Sequence, residues 1–115
     1  MSLMGRRKRG PELLQGTLDV LILKAISGDV LHGFAVAERI QRLSDDVLRV
    51  EEGALYPALH RLEGRGCLAS HWGFSATHRR AKFYRVTPLG QRQLQAEAQE
   101  WARLSGAVSR VLGLA

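Results

Sequence analysis

Residues 51–66 read EEGALYPALHRLEGRG, and their spacing decides the fold. Apolar side chains recur there at steps of four and three residues, the period of one face of an α-helix, at Leu55, Leu59 and Leu62. An acidic pair favours a helix N-terminus, and glycines at positions 64 and 66 favour a helix end. We therefore predict a helix from about Glu52 to Arg65. Pro57 removes one backbone donor and should bend or loosen its start.

Two further helices are predicted before this stretch. From Pro11 onward, apolar residues repeat with helical period until Gly28 and Asp29 end the pattern, at Leu14, Leu18, Leu21 and Ala25. A shorter amphipathic helix is predicted from about Gly33 to Leu43, with an inward face of Phe34, Ala37 and Ile40.

A hairpin and a long helix are predicted after it. Leu68 to Trp72 and Lys82 to Val86 are typical of short strands, joined by a polar, basic connection. Thr87 followed by Pro88 is the usual N-cap and first residue of a helix. One face of that helix carries Leu94, Ala98, Trp101, Ser105, Val108 and Leu112.

This order of elements predicts a mainly α, α+β fold: a winged helix-turn-helix with a two-stranded wing and a long C-terminal dimerisation helix. Three segments are expected. Residues 1–10 form a basic tail that begins with a probable cloning remnant, residues 11–86 form the winged helix-turn-helix, and residues 87–115 form the dimerisation helix.

The charge of the chain favours a polyanionic partner. Seventeen Lys and Arg against eleven Asp and Glu give a formal net charge of +6 over 115 residues. No apolar run is long enough to cross a bilayer and no secretory leader is recognisable, so we expect a cytoplasmic protein. A single cysteine, Cys67, excludes an intramolecular disulfide, and the chain has no motif of an enzyme. No cofactor is expected.

The basic residues form three clusters, Arg6 to Arg9, His60-Arg61 with Arg65, and a wing cluster of Arg79, Arg80, Lys82 and Arg85. Exposed residues at the start of a recognition helix reach base edges in the major groove, and a basic wing contacts phosphates. Arg61 has the donor fork for guanine, and Ala54 or Pro57 would touch a thymine methyl group. The predicted DNA-binding residues are Gly53, Ala54, Tyr56, Pro57, His60, Arg61, Arg79, Arg80 and Lys82. Tyr56 has an alternative role as a half-buried support of the helix.

Three groups of residues occur in a specific order and spacing: His32-Gly33-Phe34, then Gly53 to Leu59 with Arg61-Leu62-Glu63, then Arg80 to Thr87 with Gly90. Together they resemble the PadR family of transcriptional regulators. The resemblance extends from Leu13 to roughly Leu112. The family more often has Tyr where this chain has His32 and Thr where it has Ala54.

The resemblance implies a homodimeric repressor of the short type, without a separate C-terminal domain, that binds a palindromic operator in double-stranded DNA. The dimer interface would comprise Leu14, Leu18, Leu21, Leu94, Ala98, Trp101, Ser105, Val108 and Leu112. Trp101 is first interpreted as an interface anchor. Its match to a tryptophan of some short PadR-like multidrug regulators implies the alternative of a platform for a planar aromatic effector.

Two other function classes remain open from the residues. A metal-responsive sensor would use Cys67, His71 and His60, although their spacing is not that of a tight zinc motif. A winged-helix adaptor would bind only protein, which the basic wing speaks against.

Overall fold

The computed structural model describes residues 16–114. Within this range the chain forms helices, a small antiparallel sheet and a long final helix. In chain order they are α1 (16–26), β1 (Leu31–His32), α2 (Gly33–Leu43), α3 (Glu52–Gly64), β2 (Leu68–Phe74), β3 (Arg80–Val86) and α4 (Pro88–Leu112). The observed α2 and α3 match the predicted helices to within one residue.

One hydrophobic core joins α1, α2, α3, the hairpin and the first turns of α4. Its fully buried aliphatic side chains include Ile22, Leu23, Ile26, Val36, Leu55, Leu59 and Leu62. The inner face predicted for α3 is confirmed, because all three of its leucines are buried. For α2 the prediction was partly wrong. Ile40 is buried and Ala37 half-buried, but Phe34 is 65% exposed, because the helical period directs it away from the face formed by the buried residues Gly33, Val36 and Ile40.

The sheet differs from the prediction in two ways. Its strand order is β1-β3-β2, and β1 was not predicted because two residues are too few to show a period. The hairpin strands are also longer than expected, since their pairing continues to Phe74 opposite Arg80. The connection is therefore a short turn over residues 75–79, closed by a bond of 2.8 Å from the Ser75 amide to the Arg79 carbonyl.

Helix α3 runs without interruption through Pro57. The missing amide of Pro57 would have bonded the carbonyl of Gly53, four residues earlier. Gly53 lies on the exposed side of the helix, where water can solvate that carbonyl. The expected loosening therefore produces no break in the helix.

The start of α4 is fixed against the base of the hairpin. The Thr87 hydroxyl accepts the amide of Gly90 at 3.0 Å and donates to the Gly66 carbonyl at 2.6 Å, which confirms the predicted N-cap. A Cβ atom on Gly90 would lie 2.1 Å from the backbone oxygen of Cys67, so only glycine allows this close approach. Helix α4 ends at Leu112, and its C-cap residue Gly113 has a φ of 75°.

Candidate nucleic-acid interface

The outer face of α3 carries five of the predicted DNA-binding residues. They are Gly53, Ala54, Tyr56, Pro57 and His60, and all are exposed. They lie on this side because the helical period places the four buried residues of α3 on the opposite side, against the core. The face consists mainly of small, apolar and weakly polar groups.

Arg61 does not extend freely from this face. Its guanidinium donates to the carboxylate of Asp19 on α1 at 2.8 Å, and Arg65 approaches the other oxygen of that carboxylate at 3.8 Å. The Arg61 side chain is 28% exposed and Asp19 is buried. The charge of Arg61 is therefore compensated within the protein, and its role as a guanine reader stays a prediction.

Tyr56 supports the junction between α2 and α3. A Cβ atom built on Gly33 would lie 2.7 Å from the Tyr56 ring, so the tyrosine packs directly on the backbone at the start of α2. The residue is nevertheless 45% exposed. Both interpretations of Tyr56 thus have a structural basis, because one part of its surface packs on α2 and the rest is open to solvent.

Lys82 connects the wing to α3. Its ammonium lies 3.0 Å from the carboxylate of Glu63, which also accepts the Ser70 hydroxyl at 2.6 Å. Ser70 and Lys82 hold the pKa of Glu63 below its ordinary value, and Glu63 raises the pKa of Lys82. Lys82 was predicted to contact DNA, but its charge is largely balanced by Glu63.

Arg79 and Arg80 present free positive charge at the tip of the wing. Both are exposed, and neither forms an ion pair with any residue in the range 16–114. The guanidinium of Arg80 lies 4.6 Å from the ring centre of Trp72, in a cation–π contact. Trp72 is 58% exposed. Arg85, at the other end of β3, is exposed on the opposite face of the strand.

An open groove of about 790 Å³ joins these features. It lies between the start of α2, the Tyr56 side of α3 and the inner face of the wing. The residues that border it include Phe34, Glu38, Tyr56, Trp72, Arg79, Arg80 and Lys82. The tertiary structure therefore brings one predicted reader of α3 and three of the four wing cations to one concave surface.

Most of the predicted dimer residues on α4 are open to solvent. Ala98, Trp101, Val108 and Leu112 are exposed, and Ser105 is half-buried with its hydroxyl directed to the Ala102 carbonyl of its own helix. Leu94 is an exception, because it is buried in the core of its own protomer and cannot reach a partner. Leu104 lies on the same exposed stripe and was missed.

On α1, Leu18 and Leu21 are half-buried against the core, so part of the surface of each side chain is open for contact with a partner subunit. Leu14 and the basic run of Arg6 to Arg9 lie outside the described residues.

The suggested metal ligands are not gathered into a site. Cys67 is buried, whereas His60 and His71 are exposed. Among the residues that the structure describes, no three His, Cys, Asp or Glu side chains lie close enough together to hold a metal ion.

Three residues of this surface were missed by sequence reasoning, although two left a signal. Asp19 precedes Ile22 and Ile26 by three and seven residues, so it lies on the buried face of α1 and requires a cationic partner. Trp72 lies directly opposite Lys82 in the hairpin, so the two side chains are on the same face of the sheet. Glu63 had no such signal, because its partners come from the wing.

A sequence profile of the transcriptional regulator PadR-like family matches residues 22–96. The chain belongs to this family. The matched range of this PadR-like chain contains α2, α3 and the whole hairpin, and it ends in the first half of α4. The resemblance inferred from the sequence motifs is thereby confirmed.

Individual relatives give the same result. Transcriptional regulator Rv3488 of Mycobacterium tuberculosis is 33% identical over 94 residues, which cover 82% of this chain and 84% of that protein. The structure of a PadR family transcriptional regulator from Eggerthella lenta is similar with a TM-score of 0.72 and 32% identity, covering 92% of this chain and 90% of that one. A PadR-like transcriptional regulator from Bacillus cereus gives a TM-score of 0.73 at 27% identity, covering 88% and 96%.

These similarities establish the winged-helix fold and the class of protein. This PadR-like chain is a transcriptional regulator and not an enzyme, as its sequence predicted. Within residues 16–114, no helix has both the length and the apolar composition needed to cross a membrane.

Proposed function

We propose that this PadR-like regulator is a homodimeric repressor that binds a palindromic operator and is released from it by a small-molecule effector. One observation carries the DNA-binding part of the proposal. Tyr56 on the outer side of α3 and two uncompensated arginines of the wing, Arg79 and Arg80, border the same groove. A helix and an adjoining cationic hairpin on one surface suit a major groove and its flanking phosphates.

Two of the predicted DNA-binding cations form ion pairs within the protein, and this affects how the protein would recognise a DNA sequence. Arg61 is paired with Asp19 and Lys82 with Glu63, so the wing arginines supply the phosphate contacts. The exposed face of α3 offers Ala54 and Pro57 for thymine methyl groups and His60 for a hydrogen bond. With few strong donors on that face, sequence preference would depend partly on the shape and deformability of the DNA.

The dimer would form through α4. Trp101, Leu104, Val108 and Leu112 are exposed in the protomer although they share one apolar stripe. An apolar surface of this length marks an association site, and a two-fold dimer matches half-sites about 34 Å apart. Leu18 and Leu21 of α1 would add to the interface.

The effector would act at that interface. Trp101 is 52% exposed in the protomer and lies in the middle of the stripe. As an interface anchor it would bury its ring against the partner, and as a ligand platform it would stack on a planar aromatic molecule. Binding that favours one arrangement of the two subunits would change the spacing of the recognition helices and so release the operator.

Selection of bound sites from random double-stranded DNA tests the proposal. We expect enrichment of a motif with two-fold symmetry, and an affinity that falls steeply as salt rises. The double variant Arg79→Gln with Arg80→Gln should weaken DNA binding. Its control is Arg92→Gln, which removes a positive charge from α4 and should leave DNA binding unchanged.

Failure to enrich any motif would overturn the specific-regulator proposal. Little binding to any DNA even at low salt would favour the protein-only adaptor instead. Recovery of specific binding only after addition of a divalent metal ion would favour the metal-responsive alternative.

A further inference from the structure

Arg61 and Arg65 lie at the edge of the outer face of α3. Arg61 follows Pro57 by four residues and Ala54 by seven, so the helical period places these three side chains along one flank of the helix. Arg65, the C-cap residue, continues the same flank by one further turn. With free guanidinium groups, this flank would add two phosphate-binding charges to the proposed DNA-binding face.

Both guanidinium groups are directed to one carboxylate instead. Nη2 of Arg61 donates to Oδ1 of Asp19 at 2.8 Å, and Nη1 of Arg65 lies 3.8 Å from Oδ2. Asp19 is buried and the Arg61 side chain is mostly shielded from water, whereas the Arg65 side chain is 61% exposed. Asp19 therefore holds Arg61 closely and Arg65 more loosely.

Moving Arg61 from Asp19 to DNA has a cost that is the same for every DNA sequence. The carboxylate is nearly buried, and an ion that loses its partner in such a place keeps its desolvation penalty. One hydrogen bond to an exposed phosphate oxygen offsets that penalty poorly, because water and salt screen it. Two parallel hydrogen bonds to guanine compensate better, and they form only where a guanine is correctly placed. Arg61 is therefore withheld from most sequences.

We propose that Asp19 is a positioning residue that sets the DNA specificity of this protein. It lies on α1 and acts through Arg61 and Arg65, by keeping their charges from the phosphates of arbitrary DNA. Non-specific binding then depends on the wing arginines, and the ratio of operator affinity to non-specific affinity rises. This inference rests on the proposed DNA-binding function.

The wing provides the contrast within the same protein. Arg79 and Arg80 are exposed and have no acidic partner within residues 16–114. Each is free to neutralise a phosphate of any sequence and to release a counterion. Arg61 carries the same charge, but its guanidinium is already neutralised by Asp19. The two kinds of arginine should therefore contribute differently to the salt dependence of DNA binding.

Binding to a duplex of random sequence tests the restraint directly. By fluorescence anisotropy at about 0.1 M salt, Asp19→Asn should bind this duplex about tenfold more tightly than wild type, and its slope of log affinity against log salt should be steeper by about 0.9 to 1.8 per protomer. Affinity for the selected operator should rise less, so the specificity ratio falls. Asp45→Asn, which removes the same charge from the exposed turn before α3, is the matched control.

A background without the two arginines separates this restraint from a general gain of positive charge. In a protein with Arg61→Gln and Arg65→Gln, Asp19→Asn should change the slope no more than Asp45→Asn does. A purely structural role of Asp19 predicts no steeper slope in either background. Unchanged or weaker binding of Asp19→Asn to the random duplex, or a gain that persists without the two arginines, would overturn the proposal.

Arginine variants keep the proposal testable if Asp19→Asn folds poorly, which its near-ultraviolet circular dichroism reveals. Arg80→Gln should reduce the slope on the random duplex by about 0.9, and Arg61→Gln should reduce it by much less. Equal reductions in the two variants would overturn the proposal.

The same measurements distinguish this proposal from the proposed function. If site selection enriches no motif but Asp19→Asn still gains affinity for the random duplex, the restraint on the arginines is supported and only the sequence-specific repressor is refuted. If neither wild type nor Asp19→Asn binds any duplex, both proposals fail.

Discussion

The Arg61 guanidinium lies 2.8 Å from the Asp19 carboxylate, and this ion pair joins α3 to α1. The leucines of α1 are predicted to contact the partner subunit. Asp19 is 8% exposed, so it is a nearly buried charge that depends on its partners. The orientation of α3 relative to α1 is thus set partly by an ion pair and partly by the core.

Asp19→Asn should destabilise the fold. The change preserves the shape of the side chain but leaves Arg61 and Arg65 without their carboxylate, and we expect a loss of about 1–3 kcal/mol in the free energy of unfolding. Urea unfolding measures it. Asp45→Asn is the matched control, because Asp45 is exposed and forms no ion pair within the described residues. Equal stability of both variants would show that the pair contributes nothing.

The two wing cations should differ in their contribution to DNA affinity. Arg80 has no acidic partner among residues 16–114, whereas Lys82 is paired with Glu63 at 3.0 Å. Arg80→Gln should therefore reduce the slope of log affinity against log salt by about 0.9, the value for one phosphate contact. Lys82→Gln should change it less. A salt titration by fluorescence anisotropy compares them, and a larger effect of Lys82→Gln would contradict the assignment.

Glu63 should make stability depend on acid pH. Its pKa is lowered in the folded protein, chiefly by the Ser70 hydroxyl and by Lys82. The stabilisation is therefore present above the ordinary pKa of 4.5 and is lost as pH falls through the lowered value.

Chemical unfolding between pH 7 and pH 3 measures this dependence. Glu63→Gln should be less stable than wild type at pH 7, and the difference should shrink as the pH falls below about 4.5. Glu38→Gln, which removes an exposed carboxylate from α2, serves as the control and should retain the acid dependence of wild type. A difference between Glu63→Gln and wild type that stays constant with pH would refute the role of the carboxylate.

Gly33→Ala should disturb the packing of Tyr56. In most helices the change would stabilise by about 0.5–1 kcal/mol, but here the new methyl group would lie 2.7 Å from the tyrosine ring. We expect a net loss of about 1–3 kcal/mol, the usual cost of overpacking. Combining Gly33→Ala with Tyr56→Ala should remove that penalty, as a double-mutant cycle of unfolding free energies will show. Additive effects would mean that the two residues do not interact.

The stripe on α4 should determine the oligomeric state. We expect Trp101→Ala to weaken the dimer by about 2 kcal/mol or more, which is about thirtyfold in dissociation constant, and Leu104→Ala to weaken it less. Sedimentation velocity over a range of concentrations measures both. Val47→Ala, at a similarly exposed apolar residue between α2 and α3, is the control. An unaltered dimer that loses binding of a planar aromatic molecule would favour the platform role of Trp101.

Much of the fold was predictable because its signals are local. The leucine spacing of α3, the Thr87-Pro88 cap and the apolar faces of the helices depend on residues within a few turns of one another. Their predicted positions agree with the structure to within a residue or two. The family motifs also lie in these segments, so the class of protein followed from them.

The tertiary structure alone decided which charges are available and which aromatic side chains are exposed. Arg61 and Asp19 are 42 residues apart, and no local pattern indicates that they meet. Lys82 meets Glu63 and Arg80 stacks on Trp72 only because the hairpin folds back beside α3 in one register. The sequence by itself determined the helices, the buried face of α3 and the winged-helix order. Which cations remain free for a ligand depends on pairing between distant segments, which only packing establishes.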